Sequence, residues 1–180
     1  MSFQVIAVHT SLDHSFSKTA SNEIELVEGH GDRGDSHFGV TVQHRSRVAK
    51  DPTQANLRQV HLLHKELLYE LRAKGHRVEP GQIGENITTR GLSILALSAG
   101  TKLKLGSHAI LRVTGLRNPC AQIDNFQAGL LAAVLDREQG GNLVRKTGVM
   151  CVVEQSGKVQ PGDCIAVIFQ PEIHVPLQPV

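Results

Sequence analysis

The opening third of the chain alternates polar and apolar residues. "FQVIAVHTS" and "NEIELVEGHG" do so clearly, and "HFGVTVQH" follows a glycine-rich turn. A period of two is the mark of half-buried strands, so this region is expected to be β. The period then changes. In "NLRQVHLLHKELLYELRAKGH", Val60, Leu63, Leu67 and Leu71 fall on one face of a helix that stops at Gly75. "PGQIGENITTRGL" reads as loop, short strand and loop, and "TKLKLGSHAILRVTGL" as two strands about Gly106. A second helix is expected in "FQAGLLAAVLDREQGG", with Phe126, Leu130, Ala133 and Val134 at helical spacing before Gly140 and Gly141. "TGVMCVVEQSGKVQPGDCIAVIFQ" reads as two strands joined through Ser156-Gly157, with a further turn at Pro161-Gly162. Many short strands and two inserted helices predict a mainly β fold, a closed or nearly closed β-barrel, because closure removes exposed strand edges.

At 180 residues the chain suits one domain over residues 1–180, with a core at about 5–170 and an extended, proline-bearing tail at 171–180. A domain this long buries roughly 70% of its unfolded surface and needs no disulfide. Nineteen basic and seventeen acidic side chains give a net charge of +2, with none of the surplus that drives phosphate-backbone binding. Aromatics are 3% of residues, too few for base-stacking platforms. Nucleic acid is therefore not an expected partner. No apolar run approaches the roughly 20 residues that span a bilayer, and three cysteines with no leader segment point to a reduced, cytoplasmic protein without a membrane partner. Cys151 and Cys164 lie in β-branched apolar runs, where a thiol is a core filler. Cys120 follows a proline in a polar turn.

Four stretches gather Gly, Asp, His, Asn, Arg and Cys at predicted strand ends: residues 29–39, 58–61, 81–91 and 116–124. Asp32 reads as a turn residue that caps backbone N–H groups. His61 and His64, three apart on the expected helix, read as rim or core histidines, because the glutamate and the four-residue spacing of a zinc-protease helix are both missing. Arg58 and Gln59 fall in its first turn. For Cys120 the neighbours matter. A thiol titrates near ~8.5, and a close cation or a metal stabilises the thiolate. Arg117 and Arg112 are the cations nearest in sequence, and Pro119 restrains the turn. A thiolate is a soft ligand, suited to holding persulfide sulfur or a redox-active metal.

Taken together and in order, "GHGDRGDSHFG", "RQVHLLHKELL", "PGQIGENITTRGL", "GTKLKLG", "VTGLRNPCAQID" and "KTGVMCVV…KVQPGD" resemble the MOSC domain, named for the C-terminal domain of molybdenum cofactor sulfurases, and in particular its stand-alone bacterial branch. The resemblance runs from about residue 5 to about 170. It implies a MOSC-type barrel and a site built on one cysteine that carries sulfur or ligates the molybdenum of a pterin cofactor. Cys120 takes that position, with Arg117, Asn118 and Asp124 around it. The family's "GD..H.G" segment falls on Gly34, Asp35, His37 and Gly39, and its "GENI" loop on Gly84, Glu85, Asn86 and Ile87. Residues 41–55 lack the Lys-containing "KAV" pattern of close relatives and read "TVQHRSRVAKDPTQA", where Arg45, Arg47 and Lys50 are the substitutes for a phosphate-binding role.

On this reading Cys120 is the metal ligand. Glu85, Asp124 and His37 handle protons, and Arg58, Arg90, Arg117, Asn118, Asn86, Asp35 and Gly34 bind the cofactor. The expected activity is reduction of small N-hydroxylated compounds, with a small-molecule substrate and an electron donor as partners. The sulfurases' pyridoxal phosphate belongs to a separate domain and is not expected here. An alternative is a persulfide carrier that loads sulfur on Cys120 and delivers it to a partner protein. A third, a zinc hydrolase using His30, His37, His61 and His64, ranks below both.

Overall fold

The computed structural model describes residues 3–180. In chain order the first strands are β1 (Phe3–Thr10), β2 (Thr19–Ser21), β3 (Ile24–Val27) and β4 (Gly31–Asp32), followed by a short helix α1 (Arg45–Val48). The middle of the chain contributes β5 (Val60–His64), α2 (Lys65–Ala73), β6 (Ile87–Arg90), β7 (Lys102–Leu105) and β8 (Ala109–Leu116). After these come α3 (Gln122–Phe126), α4 (Leu130–Ala133), β9 (Leu135–Arg137), β10 (Leu143–Arg145), β11 (Val149–Gln155), β12 (Gly157–Val159) and β13 (Cys164–Phe169).

Seven strands close into a barrel in the order β13-β7-β8-β11-β5-β6-β1, and β1 pairs back onto β13 through Phe3 with Ile165 and Gln4 with Cys164. All neighbours are antiparallel except β5 and β6. That pair is parallel because α2 and the loop after it carry the chain back along the barrel wall, the kind of connection parallel strands require. Strand β2 extends β1, β12-β3-β4 forms a small second sheet, and β9-β10 is a hairpin. In β8, Ala109, Leu111, Val113 and Gly115 are buried and their alternates are half-buried, so the period-two pattern points one face into the barrel. Leu62, Leu103, Leu105, Leu111 and Val149 are among the fully buried side chains inside it. A second core of Leu63, Leu67, Leu71, Ile83, Ile123 and Leu130 lies where α2, α3 and α4 pack against the wall.

The structure corrects several expectations. The long helix from about residue 57 is half strand. Val60, His61, Leu62 and Leu63 are all buried, because β5 sits between β11 and β6 with helices outside it, so both faces need apolar residues. Such a continuous run imitates a helical stripe. The helix proper begins at Lys65 and buries Leu67, Leu68 and Leu71. It ends as expected at Gly75, which takes φ 89° while its N–H bonds to Arg72 O and the N–H of His76 to Leu71 O, the two bonds of a Schellman cap. "HFGVTVQH" forms no strand; its sole ladder contact is an isolated bridge from Thr41 to Ala55, and α1 follows. The second expected helix breaks at Gly129 (φ 80°) into α3 and α4, and its end becomes β9. Cys164 is exposed, not a core filler, because it stands on the outward face of β13.

Candidate functional site: a basic pocket beside Cys120

Strand β8 ends at Leu116, and the next residue, Arg117, is tied to the start of β11: its N–H bonds to Gly148 O and its carbonyl accepts the Thr147 hydroxyl. Gly148, at φ 82°, lies so close to Leu62 O that no Cβ fits there. This close approach of three strand ends aims the Arg117 side chain inward. Pro119 and Cys120 form the turn into α3, and the Cys120 carbonyl accepts the Ile123 N–H. The thiol is exposed, and its nearest polar partner is Gln122 Oε1 at 3.7 Å.

Arg117 and Cys120 share a pocket of about 420 Å³ with Lys18, His37, Arg58, Asn86 and Asn118. Phe16, Ile83 and Met150 give it an apolar side, and His14, His44, Arg45, Arg47, His61, Gly84 and Gln122 complete most of the wall. It holds five Lys or Arg side chains and no carboxylate. The Arg117 guanidinium is buried, lies over the Phe16 ring at 5.8 Å and has no salt bridge among the described residues. Its Nη1 has no hydrogen-bond partner among the described residues. Burial pushes its pKa down, with Cys120 and Glu85 acting in the opposite direction. Arg58 is lowered to about 10 by burial, then by Arg47 and Arg117; Cys120 opposes them. Both arginines share the pocket with the Cys120 sulfur.

Behind the wall lies a polar layer. Asp35 Oδ2 accepts from Lys18 Nζ at 2.5 Å and Asn86 Nδ2 at 3.1 Å, and Oδ1 accepts from the His37 backbone N–H at 2.9 Å and meets His37 Nδ1 at 3.0 Å. Asn86 also accepts the His61 N–H, fastening β5 to the loop before β6. His61 Nε2 donates to Thr147 O at 2.6 Å, and burial holds its pKa well down. Glu85 is fully buried; its Oε1 accepts the Gly81 N–H and the Thr88 hydroxyl, and burial raises its pKa. That carboxyl stabilises the 81–84 loop from behind and does not line the pocket. Gly84 (φ 89°) lets the loop approach Phe16 O, where a Cβ would come within 2.5 Å.

Of the residues nominated from the sequence, Cys120, Arg117, Asn118, Arg58, Asn86 and His37 line the pocket, and Asp35 stands directly behind His37. Gly34 leads into Asp35 against Thr10. Three residues fall elsewhere. Glu85, expected to handle protons, is fully buried behind the 81–84 loop. The Asp124 side chain accepts the Leu131 N–H at 2.7 Å, capping α4, and Arg90 donates to Gln4 Oε1 on the exposed end of β6. Arg112, considered as a cation for Cys120, pairs instead with Glu154 on the barrel wall. Of the substitutes in the 41–55 segment, Arg45 and Arg47 reach the pocket, and Lys50 does not. His61 and His64 are on strand β5 and its end, not on one helix face. The four-histidine zinc reading fails. His30 stacks on Phe38, His61 is held by Thr147, and no group of three or more His, Cys, Asp or Glu side chains among the described residues is placed to hold a metal ion. Asp32 caps as expected, its Oδ1 accepting the Gly34 N–H at 3.3 Å. Lys18, His14 and His44 were missed. Only the abundance of histidine hinted at the last two.

The comparisons with known proteins agree with this geometry. The MOSC domain profile matches residues 34–166. The chain is 29% identical over 166 residues to YuaD of Bacillus subtilis, covering 85% of this chain and 83% of that one; the name of that protein assigns it, provisionally, to metal-sulfur cluster biosynthesis. The crystal structure of Bacillus subtilis YuaD superposes with a TM-score of 0.73 at 26% identity, over 92% of this chain and 94% of the other. YiiM of Geobacillus stearothermophilus shares the fold at a TM-score of 0.64 and 18% identity, over 93% of this chain and 75% of its own. No helix among the described residues is long and apolar enough to cross a membrane. With the profile spanning most of the sequence and the barrel shared with these structures, the chain belongs to the MOSC domain family.

Proposed function

We propose that the pocket binds an anionic, phosphorylated pterin of the molybdenum-cofactor type, with Cys120 as the thiolate ligand, and reduces small N-hydroxylated compounds. The observation that carries this reading is the buried Arg117 guanidinium with an orphaned Nη1, in a pocket free of carboxylates. A buried cation without a counter-ion is costly, and an anionic ligand supplies what the protein leaves out. Arg117 and Arg58 would hold the anionic groups, Arg45 and Arg47 would attract them to the mouth, and Phe16, Ile83 and Met150 would pack the ring system. The cofactor, when bound, supplies two-electron chemistry at the metal. The chain's own residues do the rest. Asn118, fixed by Arg145 Nε at 2.9 Å, orients the turn that presents the sulfur, and His37, a quarter exposed, passes protons between solvent and the pocket.

Purification from a host that makes the cofactor, beside one that cannot, tests the proposal. About one molybdenum per chain and reduction of an N-hydroxylated base only from the competent host are expected. Absence of both from that host overturns it.

A second reading is favoured by the exposure of the Cys120 thiol, which leaves it within reach of another protein's sulfur donor, and by the metal-sulfur role in the name of the Bacillus relative. A persulfide carrier would gain the mass of one sulfur atom after incubation with a cysteine desulfurase, and Cys120→Ser would abolish the gain.

A further inference from the structure

We propose that Lys18 and Asp35 are positioning residues that lock the His37 imidazole in one tautomer, proton on Nδ1 and lone pair on Nε2, so that Nε2 is the atom that exchanges protons with whatever the pocket holds. This deepens the role given to His37 above, and its first test does not depend on any bound cofactor. Lys18 belongs to the plain loop between β1 and β2, yet its side chain is 5% exposed and that of Asp35 not at all. The loop is pinned there by the Lys18 N–H to Gly81 O at 2.9 Å.

The chemistry of Asp35 follows from its donors. An ammonium group has only protons to offer, and so does the Asn86 amide nitrogen; both face Oδ2. The other oxygen accepts the His37 backbone N–H. Burial alone would raise the carboxyl's pKa, but the His37 hydrogen bond and the charge of Lys18 overcome it and hold Asp35 ionised, well below the usual carboxylate range. An ionised carboxylate only accepts, so His37 Nδ1 at 3.0 Å from Oδ1 must carry the proton. The free nitrogen, Nε2, belongs to a ring that lines the pocket. The imidazoles of His14 and His44 stand 5.5 and 6.4 Å away, centroid to centroid, and neither reaches Asp35. His14 is held by Gln43 O and His44 by Ser46 Oγ. In this tautomer the bare Nε2 takes a proton from solvent at the ring's exposed edge and passes it to the bound molecule, which returns the ring to its neutral Nδ1–H form.

The test is long-range ¹H–¹⁵N correlation of histidine-labelled protein at alkaline pH, where ordinary imidazoles are neutral, with His37 assigned by its loss in His37→Gln. The wild type is expected to show a bare Nε2. In Asp35→Asn, Lys18 and Asn86 both require the amide oxygen, which turns the NH₂ toward His37 Nδ1 and drives the ring proton to Nε2. Adding Lys18→Met leaves only Asn86 asking for oxygen on that side, against the His37 backbone N–H on the other, and the tautomer is expected to return to Nδ1–H. A protonated Nε2 in the neutral wild type overturns the proposal, and this measurement stands even if the variants fail to fold. An unmoved tautomer in Asp35→Asn overturns it too, and a double variant that does not revert removes Lys18 from it. In protein loaded by a cofactor-competent host, Asp35→Asn should lower kcat at least about tenfold with KM little changed. Wild-type protein that shows the bare Nε2 but reduces nothing would sink the proposed activity and leave the tautomer assignment standing.

Discussion

Two hollows of similar size mark the surface of this barrel, and they differ in how their charges are balanced. One, of about 480 Å³, lies between β3 and β12 and is lined by Glu23, Glu25, Lys158 and Asp163. Its ion pairs are made within the protein: Glu23 with Lys158 at 2.7 Å and Glu25 with Arg33 at 2.8 Å, all on exposed or half-exposed side chains in reach of water. The other, of about 420 Å³, has Cys120 at its rim and a buried arginine with no salt bridge among the described residues. Volume would choose the first. The physics chooses the second, because an exposed, satisfied pair contributes 0–1 kcal/mol and asks for no ligand, whereas an uncompensated buried cation is a standing cost that only a bound anion relieves.

The two hollows differ most at the sulfur. Cys120→Ser is expected to reduce molybdenum content and activity to background while leaving thermal stability unchanged, since the thiol's one polar neighbour is 3.7 Å away and the side chain is exposed. Cys164→Ser, also exposed but on β13 across the barrel, should change neither. Metal analysis and melting curves on the two variants decide this, and equal losses would sink the assignment of Cys120. Next in size is Arg117→Leu. Binding of the anionic cofactor should weaken by about 2–5 kcal/mol, the usual cost of removing one member of a buried charge pair. Urea unfolding of the unliganded protein should show no loss of stability and a small gain, because a desolvated charge has gone. Glu25→Gln in the acidic hollow should stay within about 0.5 kcal/mol in both measurements.

How much of this was legible in the sequence depends on distance along the chain. The barrel strands with one buried face, such as β8, carry their period in plain view. Cys120 stood out because proline and polar neighbours surround it, and Arg117 lies three residues away. The strand β5 was hidden by its own burial, since a run apolar on both faces has no period to read. Lys18 gave no local signal in "HSFSKTA"; its meaning comes from Asp35, seventeen residues on and across β2 to β4. Arg58 was read in the first turn of the long helix, lies instead just before β5, and still lines the pocket. Its Nη1 donates to Val180 O at 2.7 Å, a contact with the far end of the sequence that no local pattern could show.

The polar layer behind the pocket also sets the acid limit of the fold. His9 is buried with an unpartnered Nδ1, and burial, then the adjacent Lys18, lowers its pKa to about 4. An unfolded histidine titrates near ~6.5, so between those values the unfolded state binds more protons. Stability held by neutral His9 is therefore complete above about pH 6.5 and is lost as the pH falls toward 4, on the order of 1 kcal/mol per pH unit. His61 adds the same sign. Urea midpoints measured from pH 7 to pH 4 should fall, and His9→Gln should flatten that slope. An unchanged slope would mean that His9 takes up its proton without opening the fold.

A modest effect on stability separates the pocket from the turn that supports it. Asp124 lies four residues after Cys120 and resembles a site residue in sequence, but its carboxylate accepts the Leu131 N–H at 2.7 Å and leaves the pocket to others. A side-chain oxygen on the second N–H of a helix is an N-terminal cap, and its removal costs about 0.5–2 kcal/mol. Helix α4 buries Leu130 and Ala133 in the outer core that α2 and Ile123 share, so the cost of Asp124→Ala should register as global stability. Activity per bound molybdenum should stay as in the wild type. If Asp124→Ala instead keeps its stability and loses turnover, the carboxylate leaves α4 when substrate binds, and the boundary drawn between α3 and the pocket has to move.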